Sequence, residues 1–438
     1  MNLIYGIKDR PKAGQVVLFA IQQLLAIMAA TIAVPAVVGN GMTASAALFG
    51  AGVGTMVYLL FTRSASPVCL GSSFAFIGSM FSAFGGAASV SIGYAGLIIG
   101  AVVAAIVYVV IAIVVKFCGV KWIDKLMPPV IIGPTVAIIG LSLAGNAVGD
   151  LMSPNIEGGS VYVCLICGLV TLFVAMLAST YGHKMIRLIP FIIGIMAGYL
   201  CATIFSLIGN ATGNPALCVI DYSAFGSIGG VFSLPDFTFA QADWSGVTGS
   251  YLLTVFVAYA PVAFVVFAEH LADHKNLSSI VGVDLLEEPG LTRTLLGDGI
   301  GSFVGALFGG CPNTTYGESI ATVAITRNAS TVSIWGAAAA CVIFSLITPL
   351  VAFLETIPSC VMGGVCVALY GFIASSGFKM LQPVDLNKNR NLFVASVIFI
   401  TGVGGMVVSF GAVEIRTVAC ALILGIFTNV ILSKEAEE

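Results

Sequence analysis

Between Lys12 and Lys116 the chain carries a single charged side chain, Arg63. No water-facing surface can be built from such a run, because soluble domains carry roughly 25% charged residues. Over all 438 residues the charged share is 8% and the hydrophobic share 59%, so the chain reads as an integral membrane protein. A bilayer core needs about 20 apolar residues per helix. Fourteen candidate spans begin near residues 14, 42, 69, 91, 128, 160, 188, 247, 295, 312, 331, 357, 391 and 413. The third and tenth are too short or too polar to cross as simple helices. Little is left for a soluble domain, and "MNLIYGIKDRPK" does not read as a cleavable signal.

Charge placement orients these spans. Lys8, Arg10, Lys12, Arg63, Lys116, Lys121, Lys125, Lys184, Arg187, Lys275, Arg293, Arg327, Lys379, Lys388, Arg390 and Lys434 fall on one side, and of the 17 basic residues only Arg416 falls on the other. The positive-inside rule makes that side cytoplasmic, with both termini inside a cell membrane. The net charge of −3 gives no reason to expect a nucleic-acid partner. The 11 cysteines have neither disulfide nor zinc spacing, and "CLIC" at 164–167 reads as apolar packing.

The chain repeats itself. "AIQQLLA" (20–26) matches "FAEHLAD" (267–273) at an offset of 247, and at the same offset "GAGVGT" (50–55) matches "GDGIGS" (297–302). "CLGSSFAF" (69–76) matches "CPNTTYGE" (311–318), each reading Cys-x-x-hydroxyl-hydroxyl-aromatic, and "PPVIIG" shares its Pro and Gly spacing with "PSCVMG". The matching units lie seven spans apart, so the second crosses in the reverse direction. Inverted repeats of this kind build secondary transporters, with the site at the repeat interface. The predicted fold is an all-α polytopic membrane protein of 14 segments in two inverted seven-segment repeats. Segments 3 and 10 are broken by short antiparallel β-strands at "GSSF" and "NTTY". Irregular backbone at membrane depth is tolerated where protein buries it or a cavity lies beside it.

Four acidic residues fall inside spans: Glu269 and Asp273 in span 8, Asp298 near the start of span 9, and Glu318 at the break of span 10. Their counterparts in the first repeat are Gln22, Ala26, Ala51 and Phe76. Glu269 and Asp273, four apart, share a helical face. An intramembrane carboxylate costs a few kcal/mol, so each is expected to bind something or take up a proton, and no Lys or Arg is expected within these spans to neutralise them. Asp298 also fits a structural role near a span end. His270 and His274 are expected to point to different faces, and neither is assigned a role. Carboxylates without a basic partner favour a cation or a neutral ligand rich in N–H groups. Phe74 and Tyr316 add flat apolar faces beside the breaks, which suits a planar heterocycle.

At "LGSSFAFI", "AEHLADH", "GDGIGS", "PNTTYGESIATVAITRNAS" and "MGGVCVALYGFIASSG" the sequence resembles the nucleobase–ascorbate transporter (nucleobase:cation symporter-2) family, and within it the branch of bacterial uracil permeases. The resemblance implies a core domain (12–117 and 247–353) and a gate domain (128–209 and 357–432) in a homodimer. It implies proton-coupled uptake of uracil by alternating access, with no cofactor and no metal. By analogy Glu269 and Glu318 contact the base, Phe74 and Tyr316 line its pocket, and backbone N–H groups around Ser73, Ala75, Thr315 and Gly317 bond its oxygens. Tyr370 closes over it from the gate, and Glu269, Asp273 and Asp298 are the candidates for proton coupling. The family often has Gln-His where Gln22-Gln23 stands, Asn where Ser319 stands and Gly where Ala321 stands, and some uracil permeases have His at the position of Asp273. The alternatives are a xanthine or purine carrier of the same fold and an anion exchanger or channel of a related one. No metal cluster or nucleophile–base pair within the spans speaks for an enzyme, unless Asp273 and His274 are forced into that role.

Overall fold

The computed structural model describes residues 3–119, 122, 127–183, 185–226, 228–410 and 413–434. Lys121, Lys125 and Lys184, counted above for orientation, lie outside the described residues. The chain is an all-α polytopic membrane protein. Among the described residues eight helices are long and apolar enough to cross a bilayer, and four more are apolar but shorter.

In chain order the first elements are α1 (Ala13–Val38), α2 (Ala44–Phe61), β1 (Leu70–Ser72), α3 (Ile77–Gly85) and α4 (Val90–Cys118). Next come α5 (Pro129–Ser142), its continuation α6 (Ala144–Leu151), α7 (Val161–Tyr181) and α8 (Pro190–Thr212). The second half holds α9 (Gly249–Val281), α10 (Leu291–Gly309), β2 (Asn313–Thr315), α11 (Gly317–Thr326) and α12 (Thr331–Ser345). It ends with α13 (Ser359–Leu381), α14 (Asn389–Val403), the strands β3 (Val408–Phe410) and β4 (Val413–Ile415), and α15 (Thr417–Ile431). Local chemistry sets several boundaries. The Thr248 hydroxyl accepts from Tyr251 N–H to start α9, which stops at the left-handed Gly282 (φ 75°). The Ser89 hydroxyl caps α4 in the same way.

With nine and ten residues, α3 and α11 rise only about 15 Å, half a bilayer core. Each follows a strand of three residues, and β1 pairs antiparallel with β2: Leu70 with Thr315, Gly71 with Thr314, Ser72 with Asn313. This pairing satisfies backbone groups that a broken helix would leave bare at membrane depth. β1 begins one residue before "GSSF" and ends at Ser72, because Ser73 caps a 3₁₀ turn that starts at Phe74, and β2 ends one residue short of "NTTY", because Tyr316 caps α11. The β3–β4 hairpin has no counterpart in the sequence expectation.

Helices α1–α4 and α9–α12 pack mainly on one another, as do α5–α8 with α13–α15. Within the first group α2 crosses α10, α4 packs on α9 and α10, and α12 packs on α1 and α2. The N-terminal residues run beneath this group, where Ile4 N–H donates to the Arg327 carbonyl across 2.8 Å and Ala329 N–H to that of Tyr5 across 2.9 Å. That strap ties down the elbow between α11 and α12.

Candidate functional site

Where the two helix groups meet they leave a cavity of about 640 Å³. The first group contributes the middle of α9, the break before α3 and the start of α11. Glu269 and Asp273, one turn apart on α9, face the cavity together with Ala272 and Asn276. Glu318 faces it from the first turn of α11, where the helix dipole favours a negative group and the first N–H groups have no helical partner. Phe74, Ala75, Thr315, Tyr316 and Gly317 complete this wall. Three carboxylates therefore converge on one space between two helix groups.

Hydrogen bonds hold the wall in place. Thr315 donates its hydroxyl to Asp273 Oδ2 at 2.7 Å, which links β2 to α9. Tyr316 donates to the Ser72 carbonyl at 2.6 Å and so spans the two strands. Ser319 Oγ accepts from Cys69 N–H at 2.9 Å, and its carbonyl accepts from Gln23 at 3.2 Å. Ser319 thereby ties α11 to the opposite break and to α1. Asn313 reaches the Gly50 carbonyl at 3.0 Å.

Three residues singled out from sequence do not line the cavity. Ser73 is buried at the end of β1, where its N–H donates to the Pro312 carbonyl at 2.8 Å. Tyr370 is buried on α13, its ring edge-on to Phe74 with centroids 5.7 Å apart. Asp298 sits well inside α10 rather than near a span end, because that helix starts earlier than its hydropathy suggests, at Leu291. Its Oδ2 lies 2.8 Å from His270 Nδ1, while His270 Nε2 contacts Thr294 at 3.0 Å. The expectation that His270 and His274 face different ways is also corrected. They are one helical turn apart and their rings stack at 4.0 Å. His274 continues the polar chain to Tyr58, 2.7 Å from its Nε2.

The second helix group supplies residues that sequence reasoning passed over. Leu369, Phe372, Ile373 and Ser376 of α13 line the cavity; their i, i+3, i+4, i+7 spacing is the helical-face signal that would have found them. Val136, Ile139 and Phe191 face it from α5 and α8. Arg187 and Lys379 also line it, although no basic residue was expected near the carboxylates. Lys379 lies inside the last turn of α13 rather than beyond it. Among the described residues no group of three or more His, Cys, Asp and Glu side chains is placed to hold a metal ion.

Residues 14–410 match the family model Xan_ur_permease, described as the Permease family. The uracil permease of Bacillus caldolyticus is 38% identical over 437 residues, covering 98% of this chain and 94% of that protein. The uracil permease of Bacillus subtilis (strain 168) is 37% identical, with 99% and 96% covered. That of Escherichia coli (strain K12) is 35% identical, with 97% and 93% covered. Among solved structures, the transmembrane domain of a cyanobacterium bicarbonate transporter, BicA, superimposes with a TM-score of 0.63 at 15% identity, covering 97% of this chain and 99% of that one. The murine anion transporter Slc26a9 in its inward-facing state gives 0.67 at 14% identity, covering 97% and 69%. At such identities these two likenesses speak for the fold alone.

Proposed function

The chain belongs to the Permease family, which makes it a transporter and not an enzyme, and from that premise we propose that it is a proton-coupled secondary carrier importing uracil. The observation that carries this reading is the convergence of Glu269, Asp273 and Glu318 on one cavity beside Phe74 and Tyr316, in a chain whose full-length relatives are uracil permeases. Uracil presents two N–H donors and two carbonyl acceptors on a flat ring. The carboxylates of Glu269 and Glu318 accept from its N–H groups. The free N–H groups opening α11, around Gly317, serve its oxygens. A protonated carboxyl can donate as well as accept, so the protonation state of the site decides how well uracil fits. Glu269 and Asp273 carry the coupling proton, and Asp298 acts behind them through His270.

Fourteen segments in two inverted repeats cross the cell membrane with both termini in the cytoplasm. Segments 12–117 and 247–353 form a core domain, and 128–209 with 357–432 form a gate domain. The cavity lies between them, and rocking of one domain against the other exposes it to alternate sides, in a homodimer. The strand register supports the repeat: under the alignment of "CLGSSFAF" with "CPNTTYGE", the pair Gly71–Thr314 maps onto the pair Ser72–Asn313. The bicarbonate and anion transporters share the fold, but three carboxylates outnumber the two basic residues, Arg187 and Lys379, that line this cavity, which disfavours an anion.

The test is uptake of labelled uracil into proteoliposomes under an inward proton gradient, with and without excess unlabelled xanthine. Gradient-driven uptake that xanthine leaves untouched, and that Glu318→Gln abolishes, upholds the reading. Uptake blocked by xanthine transfers it to a purine carrier.

A further inference from the structure

A second cavity, of about 260 Å³, lies on the other side of Phe74. Three residues, Phe74, Ala75 and Ile139, line both cavities and form the septum between them. The two follow one another along the same helices. On α5 and α6, Val136 faces the carboxylate-lined cavity, Ile139 faces both, and Asn146 faces the second. On α9, Asp273 and Glu269 face the first, while Val262 and Ala258 face the second, beginning roughly 10 Å further along the helix axis. Arg187 and Lys379 line the larger cavity, and Arg416 lines the smaller.

Arg416 is the one basic residue that breaks the charge asymmetry of the sequence. It occupies the cap position of α15 and lies across from α3, where a β-carbon on Gly85 would come within 3.6 Å of its Nη2. The half-helix that starts beside Phe74 thus ends beneath this guanidinium, in the potential that a helix C-terminus offers a cation. Arg416 and Asn146 bring N–H donors to the smaller cavity, and Phe81 brings an apolar ring. Among the described residues that line it there is no carboxylate. The two cavities therefore differ in chemistry: three carboxylates face the larger beside its donors, whereas Arg416 and Asn146 give the smaller N–H donors for carbonyl oxygens.

We propose that the smaller cavity is a second binding site on the same path, where Arg416 and Asn146 hold a neutral, carbonyl-bearing heterocycle by its oxygens before it passes Phe74. The proposal rests on the reading of the chain as a uracil carrier. A guanidinium fork suits it, because two N–H groups can meet one or two ring oxygens without demanding a negative charge on the ligand. Arg416 then sets how readily external substrate is captured, while affinity at the carboxylates is set elsewhere.

The test compares initial-rate uptake of labelled uracil by cells carrying the parent protein, Arg416→Gln, Arg416→Lys or Asn146→Ala, normalised to protein in the membrane, with equilibrium uracil binding to each purified protein. Loss of a charge-assisted hydrogen bond predicts a KM about tenfold higher for Arg416→Gln, and loss of a neutral one about threefold higher for Asn146→Ala. Vmax and the equilibrium Kd stay near the parent's, and Arg416→Lys recovers part of the KM. An unchanged KM in both Arg416→Gln and Asn146→Ala overturns the proposal. So does a Kd that rises in step with KM, or a fall in Vmax alone. If Arg416→Gln fails to reach the membrane, Asn146→Ala decides. A parent that takes up no uracil sinks the carrier reading and this proposal together, whereas a working parent with indifferent variants sinks only the proposal.

Discussion

Gly54 and Gly301 face one another where α2 crosses α10, so closely that a β-carbon on Gly54 would meet the Gly301 carbonyl oxygen at 2.7 Å and one on Gly301 would meet that of Gly54 at 2.8 Å. They are also equivalents of each other at the offset of 247 that relates "GAGVGT" to "GDGIGS". In the inverted repeat proposed above, the two-fold axis would pass between them. Small residues at such a crossing let helix backbones approach without a side chain between.

Alanine at either position is therefore expected to destabilise the protein, and by similar amounts. Forcing a methyl group into a packed contact costs about 1–3 kcal/mol. Thermal unfolding in detergent should show a lower Tm for Gly54→Ala and for Gly301→Ala. The double variant should lose less than the sum, since the two changes disturb one contact. A Tm unmoved by both would mean that the crossing is looser than described.

Tyr316 is fixed at the hydroxyl end of its ring. Its hydroxyl donates to the Ser72 carbonyl, and its ring covers Gly71, where a β-carbon would meet Cε2 and Cζ at 2.6 Å and Thr31 Oγ1 at 2.9 Å. Gly71→Ala must displace the ring or the strand, so uracil binding should fall well beyond the effect of Tyr316→Phe. The latter gives up one hydrogen bond, about 1 kcal/mol or roughly fivefold in affinity. Equilibrium binding by the two purified variants checks the order; a Gly71→Ala protein binding like the parent would show that the ring does not need its present position.

Much of this arrangement was legible in the sequence because bilayers punish exceptions. Glu269, Asp273 and Glu318 stood out as charges in apolar surroundings, and the hydroxyl-rich "NTTY" stood out as an interruption; all border the cavity. What stayed hidden depends on distance. Tyr370 and Phe372 are both aromatic residues of α13, and only the helix's rotation decides that Phe372 faces the cavity while Tyr370 packs edge-on against Phe74. The stacked His270 and His274 lie at an i, i+4 spacing that was there to be read. Arg187 and Lys379 are far apart in sequence and reach the cavity only through packing of the second helix group. Short strands such as Val408–Phe410 have no periodicity to detect.

Asp298 and His270 form a buried pair, their side chains 1% and 0% exposed and 2.8 Å apart. Removing one partner of a buried hydrogen bond typically costs about 1–3 kcal/mol, because the other is left buried and unsatisfied. Asp298→Ala is therefore expected to lower the Tm more than any change at Glu269, while the folded fraction still binds uracil with near-parental affinity. Glu269→Gln should show the reverse, a near-normal Tm with binding weakened by about 1.5–3 kcal/mol. Paired thermal and binding measurements on both variants separate the roles. Parental Tm with lost affinity in Asp298→Ala would move that carboxylate into the binding set.

Thr315 connects the proton-coupling proposal to the geometry of the break. Its backbone pairs with Leu70 and its hydroxyl donates to Asp273, so the carboxyl is held to the strand that leads into α11 and Glu318. Asp273→Asn keeps the shape but removes the exchangeable proton. It is expected to give a carrier that exchanges labelled for unlabelled uracil across the membrane yet cannot accumulate it when a proton gradient is imposed. Thr315→Val keeps the carboxyl and removes its donor, at a cost of about 1.5–3 kcal/mol for a hydrogen bond to a charged group. Gradient-driven accumulation should survive in that variant at a reduced rate. Counterflow and gradient-driven uptake, measured side by side in proteoliposomes, tell the two apart. Accumulation by Asp273→Asn equal to the parent's would leave Glu269 as the proton carrier and make the Thr315 contact a brace for the strand.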